Sequence, residues 1–210
     1  MKKIIVGLIF SLFYGLNLFS GDFELALDSF NKSNYIKANE LFIKACDDGN
    51  LVACNNLGVI YEKGLGLNQD YYKAIQFYKK ACDNGNFMGC YNLAYKYHFG
   101  LGVYQDYAVA RALYKKACLG NYFTACVNLG NMYNHGEGVS QDYFIAFDLF
   151  QLACNGGDGM GCNNLGVLYI SGLGVRTDFK KARELYNKSC NMGEAEGCSN
   201  LELYNRRYSW

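Results

Sequence analysis

The sequence predicts an all-α protein, an α/α solenoid of 36-residue repeats stapled by disulfides, and three observations carry that expectation. Ten cysteines fall into five pairs, Cys46 with Cys54, Cys82 with Cys90, Cys118 with Cys126, Cys154 with Cys162 and Cys190 with Cys198, the partners eight positions apart and each pair displaced by 36 from the last. Leucine followed by a small residue recurs at Leu57, Leu93, Leu129 and Leu165, each with a tyrosine four positions on. Apolar residues stand four apart ahead of each cysteine pair, as in Ala38 and Phe42 or Ala74 and Tyr78, which is the spacing of one helical face. A period of this length marks stacked repeats that share a continuous core.

Taken in order, the chain begins with Met1, Lys2 and Lys3, then the mainly apolar run Ile4 to Phe19, with Ser20 and Gly21 before the first acidic residue, Asp22. Residues 1–21 therefore read as a secretory signal peptide, an uncleaved anchor being the alternative. The apolar run is shorter than the roughly 20 residues a spanning helix requires. The mature chain is expected to be secreted or periplasmic, with no membrane segment after cleavage. Residues 22–33 have helical spacing but no cysteine and read as an N-terminal cap helix. Residues 34–210 read as five disulfide-bridged helical repeats ending in a C-terminal cap helix.

Within each repeat, Asp70, Asp106, Asp142 and Asp178 precede the first helix and can accept its free backbone N–H groups. The turn after the first cysteine, Asp47-Asp48-Gly49-Asn50 and its copies, carries the residues that tolerate the left-handed conformation at a helix C-terminus. The second helix follows and ends in a Gly-rich loop, Gly64-Leu65-Gly66 in the first copy and Gly100-Leu101-Gly102 in the next. A phosphate cradle is the poorer reading of that loop, because a third glycine is missing, no strand precedes it, and it occurs four times.

Leu57-Gly58-x-x-Tyr61 followed by Ala74-x-x-x-Tyr78 and Ala81 resembles the tetratricopeptide pattern with a longer loop between its helices, the mark of the Sel1-like subclass. With a cysteine pair in every copy, the chain from about residue 34 resembles the Helicobacter cysteine-rich family, whose members carry provisional β-lactamase assignments. The final copy departs from the pattern. Glu202 stands where the others have Gly58, Ala94, Gly130 and Gly166, and Asn205 where they have tyrosine. That departure is what makes the last helix read as a cap.

On one continuous helix, cysteines eight apart would lie about 12 Å apart, beyond the roughly 7 Å that a disulfide spans. The intervening turn brings the end of one helix beside the start of the next, so local bridges Cys46–Cys54 through Cys190–Cys198 are expected in an oxidising compartment. Zinc is the weaker alternative, since Cys-x-x-Cys is missing and the sequence has two histidines, His98 and His135. No metal and no cofactor is expected.

By the tetratricopeptide resemblance, the Leu-Gly helices line a concave groove with Asn56, Asn92, Asn128 and Asn164 in one column, Tyr95 and Asn131 in a second, and Glu62 and His98 in a third. Asparagine is a poor mid-helix residue, so its return in every copy needs a reason. Either its side chain bonds a neighbouring element, or it binds an extended, amide-rich ligand as the resemblance implies. A net charge of +1 offers nothing to nucleic acid. For catalysis, Ser29-Phe30-Asn31-Lys32 matches Ser-x-x-Lys, but neither Ser-Asp-Asn nor Lys-Thr-Gly accompanies it. Two functions stay open: a module that holds a peptide, a cell-wall fragment or another protein, and, through the resemblance alone, a β-lactam hydrolase.

Overall fold

In the structure, a computed structural model that describes residues 21–208, helices follow one another without a strand among those residues. They are α1 (residues 21–31), α2 (Tyr35–Asp47), α3 (Leu51–Lys63), α4 (Tyr71–Asp83), α5 (Phe87–Phe99), α6 (Tyr107–Leu119), α7 (Phe123–His135), α8 (Tyr143–Asn155), α9 (Gly159–Ser171), α10 (Phe179–Asn191) and α11 (Ala195–Tyr208). Residues 1–20 of the expected signal peptide lie outside the described residues. None of the described helices is long and apolar enough to cross a membrane. The chain divides into two compact units, one holding α1 to α4 and α5 through Lys96, the other holding the last turn of α5 and α6 to α11.

Helix starts follow the side chains available to cap them. Asp70 accepts from the backbone N–H of Lys73, Asp106 from Ala108 and Val109, Asp142 from Phe144 and Ile145, and Asp178 from Lys181. These are donors that would otherwise have no partner in the first turn. The tight turns reverse the chain through paired backbone bonds, Asn50 N–H to the Ala45 carbonyl at 2.8 Å and Gly49 N–H to the Cys46 carbonyl at 3.1 Å. That is the Schellman arrangement, and it needs a left-handed residue. Gly49, Gly85, Gly157 and Gly193 supply it in four copies, and Asn121, at φ +64°, does so in the third.

All five cysteine pairs are closed locally, as Cys46–Cys54, Cys82–Cys90, Cys118–Cys126, Cys154–Cys162 and Cys190–Cys198, with Cα atoms 4.4 to 4.8 Å apart. The second cysteine of each pair stands in the first turn of the second helix of its hairpin. Cys162, in the first turn of α9, is fully buried, and its Cα lies 4.4 Å from that of Cys154 at the end of α8. The ten cysteines are thus structural cross-links, and no free thiol stands among the described residues to serve as a nucleophile or a metal ligand. In the chain-entropy account, a loop this short contributes about 2 to 3 kcal/mol per bridge. The Gly-rich loops have a packing role. In the first unit Gly102, at φ +77°, lies against the Tyr71 side chain, so an added Cβ would collide there as well as strain the backbone.

Each core is built from the same register. Ala38 and Ala74 in the first unit, and Ala110, Ala146 and Ala182 in the second, are fully buried. So are the rings one turn on: Phe42, Tyr78, Tyr114, Phe150 and Tyr186 are at most 4% exposed. The glycine after leucine exists for those rings, because Gly58 faces Tyr78, Gly130 faces Phe150 and Gly166 faces Tyr186 with no room for a side chain between.

Burial pushes the Tyr186 phenol from 10.0 up to about 12. Burial, then the Glu62 hydrogen bond, then the Glu62 charge push Tyr78 up as well. The unfolded chain releases these protons first, so the stability tied to the neutral phenols is complete below 10.0 and is lost as pH rises toward the folded values. Tyr186→Phe should lessen the fall in melting temperature between neutral pH and about pH 11. Parallel curves for the two proteins would refute this account.

Candidate functional site

The asparagine column makes side-chain bonds across helices, in three copies to the second helix of the preceding repeat and at Asn128 to α6 of its own hairpin. Asn92 Nδ2 donates to Asn55 Oδ1 at 2.8 Å, joining α5 to α3 within the first unit. In the second unit Asn164 Nδ2 donates to Asn131 Oδ1 at 3.2 Å, Asn200 Nδ2 to Asn163 Oδ1 at 2.8 Å, and Asn128 Nδ2 to Tyr114 Oη at 3.3 Å. The donors Asn92, Asn128, Asn164 and Asn200 are half-buried and the acceptors Asn55 and Asn163 are buried, and the bonds offset their poor helix propensity. Each amide has two donors and two acceptor lone pairs, so one cross-helix bond leaves most of its capacity unused. The acceptors Asn55 and Asn163 lie outside the expected columns, and the dipeptides Asn55-Asn56 and Asn163-Asn164 are the signal that could have found them.

Asn56 makes no hydrogen bond of this kind among the described residues. It lines a cleft of about 250 Å³ in the first unit, together with Leu27, Phe30 and Asn31 of α1 and Val59 of α3. Three apolar side chains and two carboxamides meet there. A wider cleft of about 370 Å³ beside α10 and α11 is lined by Lys180, Arg183, Glu184, Asn187, Leu201 and Asn205, and it contains none of the expected groove residues.

The third groove column is not exposed as the resemblance implied. His98 is 7% exposed. Its Nε2–H donates to Glu137 Oε2 at 2.9 Å, its ring stacks on Phe99 at 4.4 Å, and the edges of Tyr107 and Tyr114 close around it. The reason lies in the partner, since Glu137 occupies a loop position that is leucine in the other copies, Leu65, Leu101 and Leu173. Glu62, one repeat earlier, accepts from Tyr78 Oη at 2.6 Å and from Lys96 Nζ at 2.5 Å.

Lys96 is a further residue that sequence reasoning missed. Its side chain is 3% exposed, because it stands at the register of the core residues Ile60, Met132 and Leu168. The rings of Tyr71 and Tyr95 lie 6.0 and 5.3 Å from its Nζ. A lysine in phase with buried aliphatics was the available signal. Tyr95 itself is 37% exposed on α5.

The Ser-x-x-Lys match is not assembled for catalysis. Ser29 is 6% exposed and its hydroxyl donates to the Leu25 carbonyl at 2.7 Å, while Lys32 Nζ bonds Asp28 Oδ2 at 2.8 Å. Among the described residues no group of three or more His, Cys, Asp or Glu side chains is placed to hold a metal ion.

The Sel1 repeat profile matches residues 31–50, 51–86, 88–122, 124–158 and 159–194. In that phase a repeat opens on the Leu-Gly helix, so each of the first four cystines joins one matched repeat to the next. Among curated relatives, HcpE of Helicobacter pylori, which bears a provisional beta-lactamase name, is 44% identical over 46 residues, 22% of this chain and 13% of its own. Among solved structures, cysteine-rich protein B of Helicobacter pylori is 32% identical with a TM-score of 0.50, covering 61% of this chain and 92% of its own. The c5321 protein, a protective antigen of uropathogenic Escherichia coli, gives a TM-score of 0.81 at 28% identity over 89% of this chain and 41% of its own. The chain thus spans less than half the length of HcpE and of c5321.

Proposed function

Because the chain belongs to the Sel1 repeat family, and within it to the Helicobacter cysteine-rich proteins, we propose that it is an extracytoplasmic interaction module that holds an extended peptide or cell-wall peptide fragment. The observation that carries this reading is the cleft at Asn56, where Leu27, Phe30 and Val59 offer a seat for one aliphatic side chain and Asn31 and Asn56 face the amides beside it. A few placed polar groups around an apolar pocket is the usual composition of a specific site. Five disulfides belong to an oxidising environment. Secretion or a periplasmic location through a signal peptide over residues 1–21, ahead of a cap helix and five bridged repeats, is part of the same proposal.

β-Lactam hydrolysis would need a nucleophile within hydrogen-bond reach of a base. Ser29 and Lys32 are each bonded elsewhere, so the resemblance alone supports that activity.

The test uses purified, oxidised protein with a library of extended peptides and cell-wall stem peptides, and with nitrocefin in parallel. Val59→Trp, which fills the cleft, and Asn56→Ala should each weaken binding about tenfold, near 1.4 kcal/mol. Melting temperatures should change little, since neither side chain is part of the buried core. Asn92→Ala, which removes a cross-helix bond, should instead lose about 1 kcal/mol of stability. Peptide affinity indifferent to both cleft variants, or saturable nitrocefin turnover that survives purification, would overturn the proposal.

A further inference from the structure

The fifth cystine differs from the others in its access to solvent. The eight cysteines of the first four bridges are at most 3% exposed, whereas Cys190 and Cys198 are both only half-buried. Its hairpin also contains a polar defect. Ser189 stands where the other copies have Ala45, Ala81, Ala117 and Ala153. It is 0% exposed, and its hydroxyl has no hydrogen-bond partner. That hydroxyl is pressed against Gly197 at the crossing of α10 and α11. An unpaired buried hydroxyl is destabilising, and here the burden falls on the contact that closes this hairpin. Much of α11 is polar and exposed, with Glu202, Leu203, Arg206 and Arg207 all facing solvent. Low local stability and an accessible sulfur pair therefore coincide in one hairpin.

We propose that Cys190–Cys198 is a thiol–disulfide exchange site, open to a dithiol reductant in the folded protein while the four buried bridges stay closed, and that its opening releases α11 from α10. A thiolate of the reductant attacks one cysteine sulfur, forming a mixed disulfide and breaking the Cys190–Cys198 bond. The departing cysteine leaves as a thiolate and takes a proton from water. The second thiol of the reductant then loses its proton and attacks the mixed disulfide. That step frees the other cysteine and leaves the reductant as its own disulfide, two electrons poorer.

The native protein should be treated with limiting dithiothreitol, quenched with iodoacetamide at intervals and mapped by mass spectrometry. Carbamidomethylated Cys190 and Cys198 should accumulate about tenfold faster than any other cysteine, as expected where access limits exchange. Equal labelling of a buried pair such as Cys118–Cys126 or Cys154–Cys162, or simultaneous opening of all five, would overturn the site. Hydrogen exchange on the selectively reduced protein should then show lost protection over residues 195–208 and retained protection over residues 143–171. Protection unchanged over 195–208 would overturn the release of α11.

Discussion

Gly130→Glu should lower stability by about 3 to 5 kcal/mol, through overpacking and a charge forced into an apolar contact. A Cβ at Gly130 would lie 2.6 Å from Cε1 and 2.9 Å from Cδ1 of Phe150. Phe150 is 1% exposed and cannot swing clear without disturbing the α7–α8 contact. The α-carbon of the glycine is therefore the packing surface. Glu202 occupies the same register on α11, yet its side chain is 71% exposed and pairs loosely with Arg206. Glu202→Gly should accordingly lose only the helix-propensity difference, about 0.5 to 1 kcal/mol. Urea midpoints of the two variants measure the contrast, and comparable losses would refute the close-approach account.

Glu62→Gln should lose about 3 kcal/mol, because it leaves a buried ammonium facing a neutral amide. Lys96 has no route to water at 3% side-chain exposure, and Glu62 supplies its countercharge. Lys96→Met restores the aliphatic character of Ile60, Met132 and Leu168 at that register, and replacing a buried ion pair by apolar volume is often neutral or stabilising. In the Glu62→Gln/Lys96→Met double variant most of the single loss should therefore disappear, a coupling of about 2 to 3 kcal/mol. Chemical denaturation of all four proteins gives the cycle. Strictly additive losses would mean that the pair does not interact as its geometry indicates.

The helical solenoid and its bridges were legible because they rest on local chemistry repeated at a fixed interval. Asp70 caps the helix beside it, and Cys82 meets Cys90 across a turn that Gly85 makes possible. The candidate site was less legible, because many of its contacts join side chains from different repeats, 37 positions apart for Asn92 with Asn55 and 39 for His98 with Glu137. His98 was expected in a solvent-facing groove through its place in the tetratricopeptide register. It is buried, since its partner is a carboxylate that replaces a leucine in another repeat. Lys96 belongs to no recurring polar column, and its phase with Ile60, Met132 and Leu168 is the feature that places it inside.

The short span of each cystine has a consequence for how the chain is made and varied. Ten cysteines could in principle be joined in on the order of a thousand ways, and a secreted protein with long-range bridges must be sorted among them by reshuffling. Here every cysteine has its partner eight residues away. Each bridge can close as soon as its own hairpin has emerged, in the order in which the chain is delivered, with later cysteines still out of reach. The same locality frees the gene. Inserting or deleting 36 residues changes the number of bridges by one and leaves every other pairing as it was, so arrays of different length can arise without a new disulfide topology having to be found.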